Sequence, residues 1–391
     1  MYNICDLVDK YNDEFIDIRR ALHMIPEASG NEYETQKFIC DYLEKNNIEH
    51  RKVVDTGVYA IIRGKNKGKT IAFRGDMDAL PIEEETGLDF SSLHHKIMHA
   101  CGHDAHITFL LGTAKVIREI KDNLSGNFIF LFQPSEERFG GAKRMIEEGL
   151  LKSPLVDAVI GAHVWNLALG TIVSKPGAIM ACPDIFKIII EGKGGHGAEP
   201  HLSINPIIPL AKMVSVINDI KAVYITGKKP SAISVCNIHG GEEYNIIPES
   251  AYLEGTIRTY DNDLRSEIIS KIENATLNVA QAYGARGDFI LTPGYPATFN
   301  NQKLSKLVYN RLAADFPEYT VIDSIEPSMA GEDFSYFGYE VPSLFLWIGA
   351  QSPNNASIFD LHHPKFNIDE DVLNIGIKVF TDIACNFSDF N

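Results

Sequence analysis

A chain of 391 residues is too long for one ordinary core, and a prior of about 150 residues per domain suggests two. Its 45% hydrophobic and 23% charged residues suit a folded globular protein. The formal net charge of -16 excludes the basic footprint that nucleic acid or an anionic membrane surface requires, but not a small anionic substrate, which needs only a local cation.

Six cysteines (Cys5, Cys40, Cys101, Cys182, Cys236 and Cys385) show no paired spacing, and the start "MYNICDLVDKYNDEF" has neither a basic end nor an apolar run. Free thiols in a reducing cytoplasm are the expected state. The longest apolar runs, such as "FIFLF" at 128–132, are strand-sized and far short of a membrane span.

In chain order, 12–25 and 31–47 read as amphipathic helices, and "TIAFRGDMDALP" at 70–81 as a strand running into acidic residues. Asp104 is placed to cap a helix whose apolar positions Ile107, Leu110, Leu111, Ala114 and Ile117 keep the helical period. A strand at 127–133, a helix opening at "GGAKRMIEEGLL" and a strand at 157–165 continue the alternation. This pattern predicts an α/β domain with a mainly parallel sheet flanked by helices. The middle changes character: strand 184–192, helix 205–220, strands 231–240 and 249–259, helix 263–283, strand 287–292. That β-α-β-β-α-β order is a ferredoxin-like unit. Helix 302–315, strand 343–349 and a closing helix at 369–386 resume the first pattern. The expectation is therefore an α/β domain, 1–180 and 293–391, interrupted by an inserted α+β domain, 181–292.

Open α/β sheets bind ligands beyond the carboxyl ends of their strands. Here the predicted strand ends lead to Asp76 and Asp78, to Glu136 and Glu137 in "QPSEE", to His163 in "GAHVW", and to His362 and His363 in "LHHPKF". The stretch "HACGHDAH", residues 99–106, stands just before a helix start. A Cys thiolate, imidazoles and a carboxylate suit Zn²⁺ or a neighbouring first-row metal, and the nearby helix N-terminus is expected to favour the thiolate form of Cys101. Adjacent Glu136 and Glu137 point different ways in an extended segment, so one can bind metal while the other reaches the reacting atoms.

Taken together, "RGDMDALP", "HACGHDAH", "QPSEE", "GAHVW", "GKGGHGAEPH", "GTIRTYD", "MAGEDF" and "LHHPKF" resemble the di-metal amidohydrolase and aminoacylase family. That family includes hippurate hydrolases, indole-acetyl-amino-acid hydrolases and N-acetyldiaminopimelate deacetylases. The resemblance implies a catalytic domain and an inserted lid that dimerises. It implies two divalent metal ions, Mn²⁺ or Zn²⁺ first and Co²⁺ or Ni²⁺ as well, held by Cys101, His103, Glu137, His163 and His362, with Glu136 as general base. His362 is preferred to His363, since the ligand usually stands two residues before the proline. His196 resembles the lid histidine that steadies the oxyanion of a partner subunit, and Asn245 and Arg258 resemble the residues that grip a substrate carboxylate. Asp78 is expected to orient a ligand, Asp76 and Asp104 to serve structure, and Glu199 to face solvent. The implied activity is cleavage of a small N-acyl amino acid into a carboxylate and a free amino acid by a cytoplasmic homodimer. Three readings compete with it: a dipeptidase-, aminopeptidase- or carboxypeptidase-like metallopeptidase activity, a cysteine hydrolase built on Cys101, and a non-catalytic binding protein on the same fold.

Overall fold

The structure is a computed structural model and describes residues 3–138, 140–225, 229–352 and 359–389. It divides into two compact units, Met1–Ile179 with Phe299–Glu326 and Asp333–Asn391, and Met180–Thr298 with Pro327–Glu332.

The first unit is built on an eight-stranded sheet in the order Glu49–Val53, Gly57–Arg63, Ser125–Gln133, Asn66–Asp76, Ala158–Ala168, Ser343–Gln351, Thr171–Val173, Thr320–Ile322. Its four central strands run parallel. Strand Ser343–Gln351, "SLFLWIGAQ", is buried at every position, as expected where helices cover both faces of a parallel sheet. Helix His103–Ile120 is buried on nearly all sides, and Asp371–Asn386 and Asn12–Met24 pack on it. Phe73, Phe109 and Phe380 join these layers, with the Phe73 and Phe380 rings 5.1 Å apart. Arg74 pairs with Leu131 on one side and Gly161 on the other. Asp76, Gln133 and His163 each stand two residues beyond that row, toward the carboxyl ends of their strands.

The second unit is a four-stranded antiparallel sheet in the order Ser231–Gly240, Ser250–Thr259, Cys182–Glu191, Arg286–Thr292. With helices Ile207–Tyr224 and Asn262–Ala282 it has the ferredoxin-like connectivity. Burial alternates along Cys182–Glu191, and the inward residues Phe186, Ile188 and Ile190 pack with Leu210, Met213, Ile217, Ile268 and Ile272. Strand Ser231–Gly240 lies at the sheet edge and is largely exposed. The segment Pro327–Glu332 belongs to this unit although the sequence gives no sign of it. It forms no helix or strand of its own, and the Ala181 N–H donates to Ser328 O and Ala330 O. Among the described residues no helix is long and apolar enough to cross a membrane.

Candidate metal centre

Between Cys101 and His103 stands Gly102, in the left-handed region with φ +84°, and a Cβ there would lie 2.4 Å from Val164 Cγ2. Only glycine allows the chain to turn this tightly against the neighbouring strand and start a helix at His103. The turn brings Cys101 Sγ to 3.4 Å from His163 Nε2. The ligand atoms of Cys101, His103 and His163 lie within 4.8 Å of one another, as do those of Cys101, Glu137 and His362, and those of His103, Glu136 and Glu137. His362, at φ +68°, is fixed by its N–H donating to Ala100 O at 2.8 Å, and its Nε2 stands 3.4 Å from Glu137 Oε1. His363 turns away, stacking on Phe359 and accepting from the Lys365 N–H. The structure thus gathers Cys101, His103, Glu136, Glu137, His163 and His362 in one place.

The rings are oriented from behind. His103 Nδ1 donates to Asp78 O at 2.8 Å and His163 Nδ1 to Val164 O at 2.6 Å, so each Nε2 is left for the cluster. His103 Nε2 and Glu137 Oε1 are buried without a hydrogen-bond partner, a state that costs about 1–3 kcal/mol per group unless something satisfies it. A divalent cation does so, and thiolate, imidazole and carboxylate are the donors such a cation accepts. The titration behaviour agrees. Burial, with Glu137, Glu136 and Asp76 nearby, pushes the Cys101 thiol far up, outweighing the helix N-terminus expected to favour thiolate. Burial opposes the His103 imidazolium, yet Asp76, Asp78 and Glu137 raise it to about 10. Both shifts express an excess of negative charge that a bound cation would neutralise.

Buried carboxylates support the cluster. Asp78 Oδ2 accepts from Ser29 Oγ at 2.6 Å and from the Glu137 N–H at 3.0 Å. His106 donates from Nδ1 to Asp76 Oδ1 at 2.6 Å and accepts the Val164 N–H at Nε2, so the imidazole is neutral and ties helix to strand. Burial raises the Asp76 carboxyl, but His103, His106 and Arg74 outweigh it and hold the group well below the carboxylate range. His106 is thus a buried core histidine with both ring nitrogens employed within the fold. Asp104 is not the helix cap that its position suggested. Gly102 occupies the cap, and Asp104 is buried within the first turn, accepting from Arg19 Nε and His23 Nδ1 at 2.8 Å each. Arg19 and His23, both on helix Asn12–Met24, occupy the Asp104 carboxylate in place of a backbone N–H.

The other predicted residues lie in the second unit. Gly195–His196 pairs with Ile246–Ile247, and the Gly197 N–H donates to Asn245 O, so His196 and Asn245 are neighbours. Exposed His196 accepts the Ala198 N–H at Nδ1, which puts its proton on Nε2. Arg258 is half-buried on strand Ser250–Thr259, with one long contact, 3.4 Å, to Asp184 O. The Asp184 carboxylate is taken by Arg265, and among the described residues Arg258 makes no ion pair. Glu199 is exposed, and Glu332 is buried.

The family model described as Peptidase family M20/M25/M40 matches residues 72–386. The chain is 39% identical over 396 residues to a protein named thermostable carboxypeptidase 1 from Saccharolobus solfataricus, covering 98% of this chain and 99% of that one. It is 40% identical over 359 residues to an N-acetyl-L-cysteine deacetylase from Bacillus subtilis, covering 91% and 84% respectively. Among solved structures it resembles a dinuclear metal-binding M20 peptidase from Bacillus subtilis, with TM-score 0.85, 33% identity and coverage of 98% and 100%. Agreement along the whole chain, over a gathered set of metal-ligating side chains, shows that this protein belongs to peptidase family M20/M25/M40, as a metal-dependent amidohydrolase.

Proposed function

We propose that the protein hydrolyses N-acyl amino acids to a carboxylate and a free amino acid, with Glu136 as general base. The observation that carries this reading is the convergence of ligand atoms from Cys101, His103, Glu137, His163 and His362, with Cys101, His103 and His163 buried, Glu136 beside them, and His103 Nε2 and Glu137 Oε1 without hydrogen-bond partners. The deacetylase among the relatives supports the same chemistry. When bound, two divalent ions, Mn²⁺ or Zn²⁺ first and Co²⁺ or Ni²⁺ as alternatives, supply Lewis acidity that activates water and polarises the amide carbonyl. Glu136 takes the proton of the attacking water and delivers it to the leaving amine. The half-buried Arg258 guanidinium, with no ion pair among the described residues, suits a substrate carboxylate, and Asn245 assists it. His196, with its proton on Nε2, can donate to the oxyanion.

We assign the second unit the roles of lid and homodimer contact. Its exposed edge strand Ser231–Gly240 and exposed Ile208, Val223, Ile238 and Ile246 support that reading. The test is amine release from a panel of N-acetyl, benzoyl and other N-acyl amino acids, alongside dipeptides. Fast release from an acyl amino acid is expected, and its loss by about 10²–10⁴-fold in Glu136→Gln with metal retained. Cleavage of dipeptides alone would transfer the protein to the carboxypeptidase-like reading that its other relative suggests. Mixing His196→Ala with Glu136→Gln subunits should restore activity in heterodimers, and no recovery after verified exchange would refute action across a dimer.

A further inference from the structure

The loop that carries Glu136 is held by its backbone, at alternate residues. Ser135, buried and not a glycine, adopts φ +61°. Its N–H donates to Glu32 Oε1 at 2.9 Å, and its hydroxyl lies 3.3 Å from the same oxygen. Its carbonyl accepts from Gly140 N at 3.0 Å and from Gly141 N at 3.4 Å. One residue beyond the base, the Glu137 N–H donates to Asp78 Oδ2 at 3.0 Å. Two buried carboxylates therefore grip the amides on either side of Glu136.

Glu32 itself is fully buried and fully employed. Oε1 also accepts the Gly30 N–H at 2.9 Å, and Oε2 accepts Thr56 Oγ at 2.6 Å. A left-handed serine persists only where its surroundings over-determine it, and here Glu32 supplies the acceptor for its amide. No metal ligand touches Glu32 in any of these contacts.

We propose that Glu32 is a positioning residue for Glu136, fixing the left-handed Ser135 turn that holds the base against the metal-ligand cluster. This rests on Glu136 being the base. Loss of the clamp would leave the ligands in place and let the base drift, and a misplacement of about 1 Å can cost roughly 10²-fold in rate. Glutamine preserves the clamp, because its amide oxygen accepts both N–H groups while its NH₂ donates to the Thr56 hydroxyl.

The test measures kcat, KM and metal content of the metal-loaded protein on its best N-acetyl amino acid, for Glu32→Ala and Glu32→Gln. Both are made in the wild-type and Glu136→Gln backgrounds. In the wild-type background Glu32→Ala should lower kcat by roughly 30- to 100-fold, with KM and metal content unchanged, and Glu32→Gln should restore kcat to within about threefold. In the Glu136→Gln background Glu32→Ala should cost nothing further, because the group it positions is already lost. An equal loss in both backgrounds, a loss of metal, or a wild-type kcat in Glu32→Ala would overturn the proposal. Should the alanine chain not fold, Glu32→Asp, one methylene short of Ser135, takes its place with the same expected fall in kcat, and full activity there overturns it equally. Wild-type turnover in Glu136→Gln alone would instead remove the base assignment on which the proposal rests.

Discussion

Arg74 is fully buried, with Asp76 Oδ2 at 2.7 Å and Asp333 Oδ1 at 2.8 Å, while its Nε reaches Gln133 Oε1. Removing the cation strands two carboxylates in the core beneath the candidate metal centre. Arg74→Met should therefore lose about 3–5 kcal/mol of stability, read as a lower urea midpoint, and an unchanged midpoint would contradict that reading. This residue shows what the sequence hides. Cys101, His103, Glu137, His163 and His362 stood out because their types are chemically uncommon and recur at predicted strand ends and before a helix start. Arg74, Glu32 and the partners of Asp104 did not, because a buried charge has no period and looks, along the chain, like any solvated one. Only the fold brings Glu32 to Ser135, 103 positions away.

At the scale of elements, the turn at Gly102 couples helix His103–Ile120 to the proposed ligands Cys101 and His103 on either side of it. Gly102→Ala must put an alanine at φ +84° with its Cβ 2.4 Å from Val164 Cγ2. It should lower both metal stoichiometry and melting temperature, and a variant with full metal content would show that the turn can relax. Long, strongly patterned elements were readable beforehand, among them the helix after Gly102 and strands Ser125–Gln133 and Ser343–Gln351. Strands Glu49–Val53, Thr171–Val173 and Thr320–Ile322 were not. The first is an exposed strand at the sheet edge, and the other two are three residues long and exist through their partners rather than through local preference.

At the scale of the molecule, the interruption of one unit by another was visible as a change of rhythm, from strands alternating with helices to β-α-β-β-α-β. The return of Pro327–Glu332 to the second unit was not, because that segment has no periodicity to read. Global stability should also carry the mark of one buried acid. Asp382, on helix Asp371–Asn386, has Oδ2 without a hydrogen bond; burial, then Asp315, raises its carboxyl to about 6 against the pull of Arg311. A carboxyl raised on folding contributes stability that is full below its unfolded value and lost as pH rises through the folded one. Wild-type stability should thus decline between about pH 4 and 6 from this group, a decline absent in Asp382→Asn. Parallel pH–stability curves for the two proteins would refute the assignment.

The most direct measurement removes metal by chelation, adds Mn²⁺ or Zn²⁺ back in steps, and follows amine release from an N-acyl amino acid. Turnover should vanish in the stripped protein and return as the ions fill the cluster, reaching a plateau near two equivalents per chain. Activity that survives stripping but is abolished by alkylation of Cys101, 3.4 Å from His163 Nε2, would contradict the metal reading and give the reaction to the thiol.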